Sequence, residues 1–181
     1  MKRNANKGEM DENIKHFVFG VCIAFMMLGA FAGAGVALAS ATTWHVDDDL
    51  VQRPDANFTS IQDAVDAASP GDTIIVYPGT YTENVDVNKD HLTIKSEGGA
   101  DSTIVQAADS DYPVFEVTAD YVNISGFTVK DATGDVEKSG FGGTGIALNS
   151  VSYCNVSDNI AVNNTAGIEL FCSNYSIQHL R

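Results

Sequence analysis

Short period-two patterns are the feature of this sequence that most constrains its fold. In each pattern two apolar residues flank one residue that is usually polar or small, and Gly, Asn, Asp and Ser fill the gaps between patterns. Such patterns predict half-buried β-strands, with one face in the core and the other in solvent. The pairs of apolar positions are Val85/Val87, Leu92/Ile94, Phe115/Val117, Val122/Ile124, Phe127/Val129, Ile146/Leu148, Cys154/Val156, Ile160/Val162 and Ile168/Leu170.

The spacing of these patterns predicts a solenoid. Their first residues lie at 115, 122 and 127, then at 146, 154 and 160, and then at 168, so 22 residues separate 146 from 168. Residues 144–153 and 166–175 share four identities in ten in this register. A repeat of this length with three short strands predicts a parallel β-helix, in which equivalent strands of successive coils stack. The longer step from 115 to 146 predicts a bulge at residues 131–143, which are polar and Gly-rich.

A doubly wound α/β sheet and a β-sandwich are the two alternative folds. A doubly wound α/β sheet needs crossover helices and strands buried on both faces, and the sequence predicts neither. A β-sandwich stays open, because evenly spaced strands fit it too. It does not predict the 22-residue register, however, so we expect an all-β fold class with a parallel β-helix.

One short amphipathic helix is predicted at residues 60–68. Phe58, Ile61, Val65 and Ala68 recur at helical spacing, and Ser60 stands at the N-cap. A β-helix has an open end whose strand edges recruit other chains. We expect the apolar face of this helix to cover that end as an N-terminal cap.

Residues 1–41 resemble an export signal. Basic residues precede an apolar run at 17–39, which ends in two overlapping A-x-A sites with candidate cleavage after Ala39 or Ala41. The run is also long enough to be an uncleaved membrane anchor, and both interpretations stay open. Either one places residues 42–181, the predicted β-helix domain, outside the cytoplasm.

The charge of the exported part excludes some partners. Residues 42–181 hold 6 cations and 21 anions, a net charge of −15. Such a surface repels phosphate backbones and anionic headgroups, so we expect no nucleic-acid binding and membrane contact only through the N-terminal apolar segment. Cys154 and Cys172 would sit in a disulfide-permissive compartment, but the sequence does not decide whether they pair or are two small buried residues.

The segments His45–Asp49, Phe58–Ala68 and Gly71–Tyr81 resemble the opening of right-handed parallel β-helix proteins of the pectin-lyase-like superfamily. The later run VNNTAGIEL at residues 162–170 is similar to the repeats of the NosD-type and carbohydrate-binding and sugar-hydrolysis groups, as in archaeal surface proteins. The resemblance covers residues 44–178 and implies the fold and an exported location. The chemistry is left open, because this fold hosts lyases, hydrolases, esterases and proteins that are not enzymes.

We find no catalytic or cofactor-binding constellation in the sequence. Lyases of the resembled superfamily pair acidic calcium ligands with a basic residue, and the only arginines after residue 41 are Arg53 and Arg181, both off the regular coils. Lys95 and Lys130 are predicted to be solubilising charges on outward strand positions. Stacked coils can still bring together the two carboxylates that glycoside hydrolysis needs. The alternative function is therefore a polysaccharide-active lyase or hydrolase whose catalytic coils are missing or unrecognised.

Calcium and copper are the two metals for which the sequence suggests a role. Dense oxygen clusters on predicted loops make weak calcium candidates, although solvated acidic loops explain them as well. Copper handling by a NosD-like accessory protein is a remote alternative, because all four Met lie in the leader and His45, His91 and His179 are far apart in sequence. We therefore predict no copper site. The calcium candidates are Asp47, Asp48, Asp49, Asp109 and Asp111.

Five sequons of the form N-x-S/T follow residue 41. In an exported chain they predict N-glycosylation at some of these positions, although Asn is also favoured at β-helix turns. The acceptor candidates are Asn57, Asn123, Asn155, Asn163 and Asn174.

Taken together, these features predict an exported, surface-associated β-helix with a structural, adhesive or glycan-contacting role. Carrying the strand spacing forward from 168 puts the next strand near 176 and a third near 182, while residues 171–181 contain no cap-like pattern. We therefore expect the β-helix to be truncated at its C-terminus and to self-associate through that open end.

Overall fold

The computed structural model describes residues 40–135, 140–171 and 174–177, and these residues form short strands and one short helix. The helix, α1, spans Ile61–Ala67. The strands are β1 Thr43–Val46, β2 Thr73–Val76, β3 Gly79–Thr82, β4 Val85–Val87, β5 Thr93–Ser96, β6 Thr103–Gln106, β7 Phe115–Val117, β8 Asn123–Ser125, β9 Thr128–Lys130, β10 Thr144–Asn149, β11 Ser152–Ser157, β12 Ile160–Val162, β13 Ala166–Phe171 and β14 Asn174–Ile177.

The strands form three parallel sheets that wind as a solenoid. Sheet 1 has the order β1-β2-β5-β8-β11-β14, sheet 2 the order β12-β9-β6-β3 and sheet 3 the order β13-β10-β7-β4. From β2 to β13 each coil gives one strand to each sheet, while β1 and β14 add a strand at either end of sheet 1. Every described pairing is parallel, as between Thr93 and Asn123. This confirms the predicted parallel β-helix and excludes the sandwich, whose sheets are antiparallel.

The core consists of ladders of inward side chains, one from each coil. In sheet 3 the register aligns Val85 with Phe115, Phe115 with Ile146, and Ile146 with Ile168. The first three side chains are fully buried. The predicted stacking of Ile146 on Ile168 and of Leu148 on Leu170 is confirmed.

The cap helix is held at both ends by side chains from the coil that follows it. Ser60 is the N-cap, as predicted. The Glu83 carboxylate accepts hydrogen bonds from the first two helical amides, Ile61 N and Gln62 N, both at 2.9 Å. At the other end Lys89 Nζ donates to the carbonyls of Val65, Asp66 and Ala68. Negative charge at the N-terminus and positive charge at the C-terminus both complement the helix dipole.

The apolar face of α1 packs on β1, β2 and β4. Ile61 and Val65 are fully buried, and Phe58 lies against the Trp44 ring at a centroid distance of 5.5 Å. The predicted capping role of the helix therefore agrees with its packing.

In β12 the predicted inward positions, Ile160 and Val162, are wrong by one residue. Ala161, not Ile160 and Val162, lies in the inward register of sheet 2, opposite Val129, and Val162 is 47% exposed. The reason is Asn159, which is buried and occupies the place that Phe127 has one coil earlier. Its amide accepts from Phe127 N and donates to Ile124 O, both at 2.9 Å, so a polar side chain replaces an apolar one at this corner.

The predicted bulge lies where the spacing placed it, between β9 and β10, although residues 136–139 are not described. Strand β14 lies at the position expected near 176. The leader at residues 1–39, including the candidate cleavage residue Ala39, lies outside the described residues. Within the described ranges no helix has the length and apolarity needed to cross a bilayer.

Candidate functional site

An aromatic column runs along the corner where the chain passes from sheet 3 into sheet 1. His91 stacks on Tyr121 with ring centroids 4.5 Å apart, and Tyr121 stacks on Tyr153 at 4.8 Å, both pairs tilted by only 10°. The spacing matches the distance between neighbouring strands, so each coil contributes one ring. We call His91, Tyr121 and Tyr153 the aromatic column.

The backbone explains why these rings stand at the corner. All three residues have left-handed φ values: 61° at His91, 59° at Tyr121 and 58° at Tyr153. This conformation is rare for bulky residues. Here it turns the chain into sheet 1 and points each side chain outward, so Tyr121 is 43% and Tyr153 64% exposed.

At the end nearest α1, the aromatic column stops at a position that carries no side chain. The register of β2 with β5 puts Gly71 level with His91, one coil earlier, and Gly71 is also left-handed, with a φ of 96°. A Cβ atom at Gly71 would meet no other atom within 4 Å. The Tyr121 ring is therefore covered on both faces, whereas one face of His91 looks toward a position that has no side chain.

Two carboxylates face each other on the outer side of sheet 3. Asp86 and Glu116 are register partners on β4 and β7, and together with Asn88 and Thr118 they line a shallow cavity. Burial and the neighbouring Asp86 charge raise the pKa of Glu116, although a hydrogen bond with Asn149 acts in the opposite sense. No Arg or Lys is among these lining residues.

The Asp47–Asp49 cluster is brought together as predicted, with carboxylate oxygens within 4.8 Å of one another. Asp47 is fully buried and accepts from Arg53 N at 2.5 Å. Asp48 accepts from Thr80 N at 3.0 Å, and Asp49 from Val51 N at 2.9 Å. One oxygen of each carboxylate thus stabilises the local loop, and calcium binding here stays a prediction.

Asp109 and Asp111 lie on the loop between β6 and β7. Asp109 accepts from Asp111 N at 3.0 Å, and the Asn84 side chain holds the loop by bonding to Asp109 N at 2.7 Å. Within residues 40–135 and 140–171, no third metal-ligating side chain joins this pair. The Asp109 carboxylate stabilises the loop, and calcium binding at Asp109 and Asp111 stays a prediction.

The basic residues and histidines are scattered. Arg53 pairs with Asp55 at 2.7 Å and lies over the Tyr77 ring, while Lys130 pairs with Asp131 at 3.1 Å. Lys95 is exposed on the outer face of β5, as predicted. The rings of His45 and His91 lie against different aromatic partners, Tyr77 and Tyr121. Arg181 and His179 are not described.

Cys154 is a buried free thiol that donates to Ala119 O at 3.5 Å. Burial raises the pKa of this thiol, which makes it a poor nucleophile. Cys172 lies outside the described residues.

The sequons differ in whether the acceptor nitrogen is engaged. Asn123 Nδ2 donates to Thr93 Oγ1 at 3.3 Å, and Asn163 Nδ2 donates to Asp131 Oδ1 at 2.7 Å. Asn57 is exposed and uses its side-chain oxygen, which accepts from His45 N at 3.0 Å. Asn155 is half-buried on β11, and Asn174 begins β14.

Sequence reasoning missed the aromatic column, although a signal was present. Each of its residues directly precedes the first inward residue of a sheet 1 strand pattern, namely Leu92, Val122 and Cys154. Three aromatic residues at one place in successive coils predict a stack once the register is known.

No family model matches the chain. Over 108 residues, 59% of its length, it is 37% identical to a cell surface glycoprotein of Methanothermus fervidus, and the alignment covers 16% of that relative. The chain thus spans about a sixth of the curated relative that it matches.

Three solved structures with the same fold are pectin methylesterases. One is a variant in complex with a hexasaccharide, with a TM-score of 0.56 and 16% identity over 77% of this chain and 50% of that one. Another, also in complex with a hexasaccharide, has a TM-score of 0.55 and 17% identity over 72% and 46% of the two chains. PemA of Erwinia chrysanthemi gives 0.51 and 15% identity over 72% and 45%.

Identities this low carry the fold and no chemistry. The resemblance seen in the sequence is confirmed at that level: the chain is a right-handed parallel β-helix of the pectin-lyase-like fold.

Proposed function

We propose that this protein is a surface-located β-helix with an adhesive role, and that it contacts glycans through the aromatic column. The observation that carries the proposal is the exposed stack of His91, Tyr121 and Tyr153. Exposed apolar surface in an ordered row is typical of binding sites, whereas singly scattered apolar residues are ordinary.

The column is suited to sugars because its rings are fixed in place. A pyranose has a face of C–H groups, which packs on the electron-rich face of an aromatic ring. The Tyr121 faces are occupied by its two neighbours, so the surfaces left for a sugar are the His91 face beside Gly71 and the exposed part of the Tyr153 ring. Mutual stacking holds the rings before a ligand arrives, which lowers the entropy cost of binding.

The surface location is supported by the relative and by the leader. The Methanothermus fervidus relative is named a cell surface glycoprotein. Glycan contact is supported separately by two fold neighbours that are complexes with hexasaccharides. Residues 1–41 of this chain have the order of an export signal.

The charge of the exported part indicates which glycans it contacts. Residues 42–181 have a net charge of −15, which repels chains of uronic acids. We therefore expect neutral polysaccharides to be preferred, with an affinity on the order of 1 mM for a short oligosaccharide, or about −4 kcal/mol.

Titration calorimetry with cellohexaose, maltohexaose and a galacturonate hexasaccharide tests the proposal. We expect a neutral hexasaccharide to bind and Tyr153→Ala to weaken that binding by about tenfold, the loss of one stacking contact. Tyr112 is 44% exposed on a loop outside the column, so Tyr112→Ala is the matched control and leaves binding unchanged. Binding that survives Tyr153→Ala and His91→Ala together, or that Tyr112→Ala abolishes, would contradict the proposal.

A polysaccharide-active enzyme is the second candidate function, and the Asp86–Glu116 pair favours it. A carboxyl with a raised pKa next to a second carboxyl is the arrangement of a general acid and its partner in glycoside hydrolysis. Release of reducing ends from the same oligosaccharides by the parent protein, lost in Glu116→Gln, would support it. No release would leave this pair as surface charge only.

A further inference from the structure

The carboxylate of Asp72 is a buried anion close to the predicted cleavage sites. Asp72 is only 4% exposed, and it accepts hydrogen bonds from Thr42 N at 2.7 Å, Trp44 Nε1 at 3.0 Å and Ser69 N at 2.9 Å. Burial opposes its ionisation, but these three donors, helped by the Lys89 charge, outweigh that effect and lower its pKa. Asp72 is therefore ionised at neutral pH.

The Lys89 charge acts on this buried carboxylate only from beyond ion-pair distance. Within residues 40–135 and 140–171, no Lys, Arg or His forms an ion pair with Asp72. Ionised side chains are costly to bury unless a charge of opposite sign lies against them. Three hydrogen bonds therefore satisfy the Asp72 carboxylate, and none of their donors carries a positive charge.

The shortest of the three hydrogen bonds to the carboxylate comes from the backbone nitrogen of Thr42. Thr42 immediately precedes β1, and its carbonyl accepts from Thr73 N at 2.9 Å, so the residue is fixed on both sides of its Cα. Ser40, Ala41 and Thr42 are exposed. Ala41 is also the last residue of the second A-x-A site.

We propose that the chain is processed between Ala41 and Thr42, and that the new α-ammonium group of Thr42 forms an ion pair with Asp72. A membrane signal peptidase would hydrolyse the Ala41–Thr42 amide bond with one water. The acid that forms on Ala41 loses its proton and the Thr42 amine gains one. Processing would thus convert the neutral N–H donor of Thr42 into a cation in hydrogen-bond contact with the buried carboxylate.

The alternative site gives a different product. Cleavage after Ala39 leaves Ser40 and Ala41 ahead of β1, which places the ammonium group about 7 Å further along the chain. Thr42 N then remains a neutral amide. The two A-x-A sites therefore predict proteins that differ in both mass and stability.

Export of the full chain from a secreting host separates these outcomes. In the parent protein and in Ala37→Leu, which blocks the first A-x-A site, mass spectrometry should find a product that starts at Thr42. Ala41→Leu blocks the second site and shifts the start to Ser40. We expect the Thr42 product to melt about 3–6 °C higher than the Ser40 product.

Two further measurements show whether Asp72 is the cause. The α-ammonium group of the Thr42 product should hold its proton more tightly than an ordinary one, whose pKa is about 7.7–8.0. Its acid dissociation constant should be at least tenfold smaller. Selective carbamylation of that amine should remove the gain in melting temperature without unfolding the protein.

Three results would overturn the proposal. They are a parent product that starts at Ser40 or keeps its leader, an α-amine with an ordinary pKa, and equal melting temperatures for the two products.

Discussion

The capped end of the solenoid and its last described coil use the same strand pattern and reach different degrees of burial. At the capped end Ile61 and Val65 of α1 are fully buried, and Glu83 and Lys89 hold the helix in place. In the last coil the inward residue Leu170 is 38% exposed, and its neighbour Phe171 is 44% exposed.

The period-two pattern therefore sets the direction of a side chain but not its burial. An inward residue is buried only when another layer lies on each side of it along the solenoid axis. The helix supplies that layer at the capped end, as terminal caps do in solenoids generally. A matched pair of substitutions in successive coils measures the effect.

The largest expected effect is at Ile146. Ile146 is fully buried, and its register partner Ile168 one coil later is only half-buried. Ile146→Ala should lower the free energy of unfolding by about 2–4 kcal/mol, because it leaves a cavity in a closed core. Ile168→Ala should cost about 1 kcal/mol, because solvent already reaches that site. Equal losses in urea unfolding would mean that the two coils are equally closed.

The next effect concerns the clamp on the cap helix. Glu83→Gln removes the charge that interacts with Ile61 N and Gln62 N and should cost about 1–2 kcal/mol. Glu97→Gln is the control, because Glu97 is an exposed acid away from the helix. If both variants unfold at the same denaturant concentration, the clamp does not stabilise the capped end.

The pH dependence of the free energy of unfolding should come from Asp72 at the capped end. The folded-state pKa of Asp72 is lowered, so its contribution to stability is present above its ordinary pKa of about 4 and is lost as the pH falls through the folded-state value. The parent protein should therefore lose more stability between about pH 5 and pH 2 than Asp72→Asn does. Parallel curves from denaturation at each pH would contradict this assignment.

The smallest effect on stability is expected from glycosylation. Within residues 40–135 and 140–171, Nδ2 of Asn57 and of Asn155 donates no hydrogen bond, whereas that atom is engaged in Asn123 and Asn163. We expect glycans at Asn57 and Asn155 in the exported protein, with a change in stability below about 0.5 kcal/mol when Thr59→Ala removes the first. Glycopeptide mass spectrometry that found only Asn123 and Asn163 occupied would reverse this ranking.

Much of the fold could be predicted because it depends on local spacing. The inward pairs such as Phe115/Val117, the cap helix and the bulge at residues 131–143 all follow from patterns within one coil. What escaped prediction depends on contacts between coils. Asn159 became an inward residue through bonds to Phe127 and Ile124, and Glu83 caps a helix that begins 22 residues earlier.

The candidate site was harder to predict than the fold. The acidic cluster at Asp47–Asp49 was visible in the sequence, because its members are adjacent. The aromatic column joins residues about 30 positions apart, and coil length varies between them, so no fixed period reveals it. Only the register showed that the rings meet.

The proposed glycan contact through the exposed rings of the aromatic column can be followed by the NMR shifts of those rings during a titration. On adding a neutral hexasaccharide, the ring signals of His91 and Tyr153 should move most. The Tyr121 signals should move less, because that ring is covered on both faces, and those of Tyr112 should stay in place. Shifts at Tyr112 with none in the column, or no shifts at any of these rings, would contradict the account.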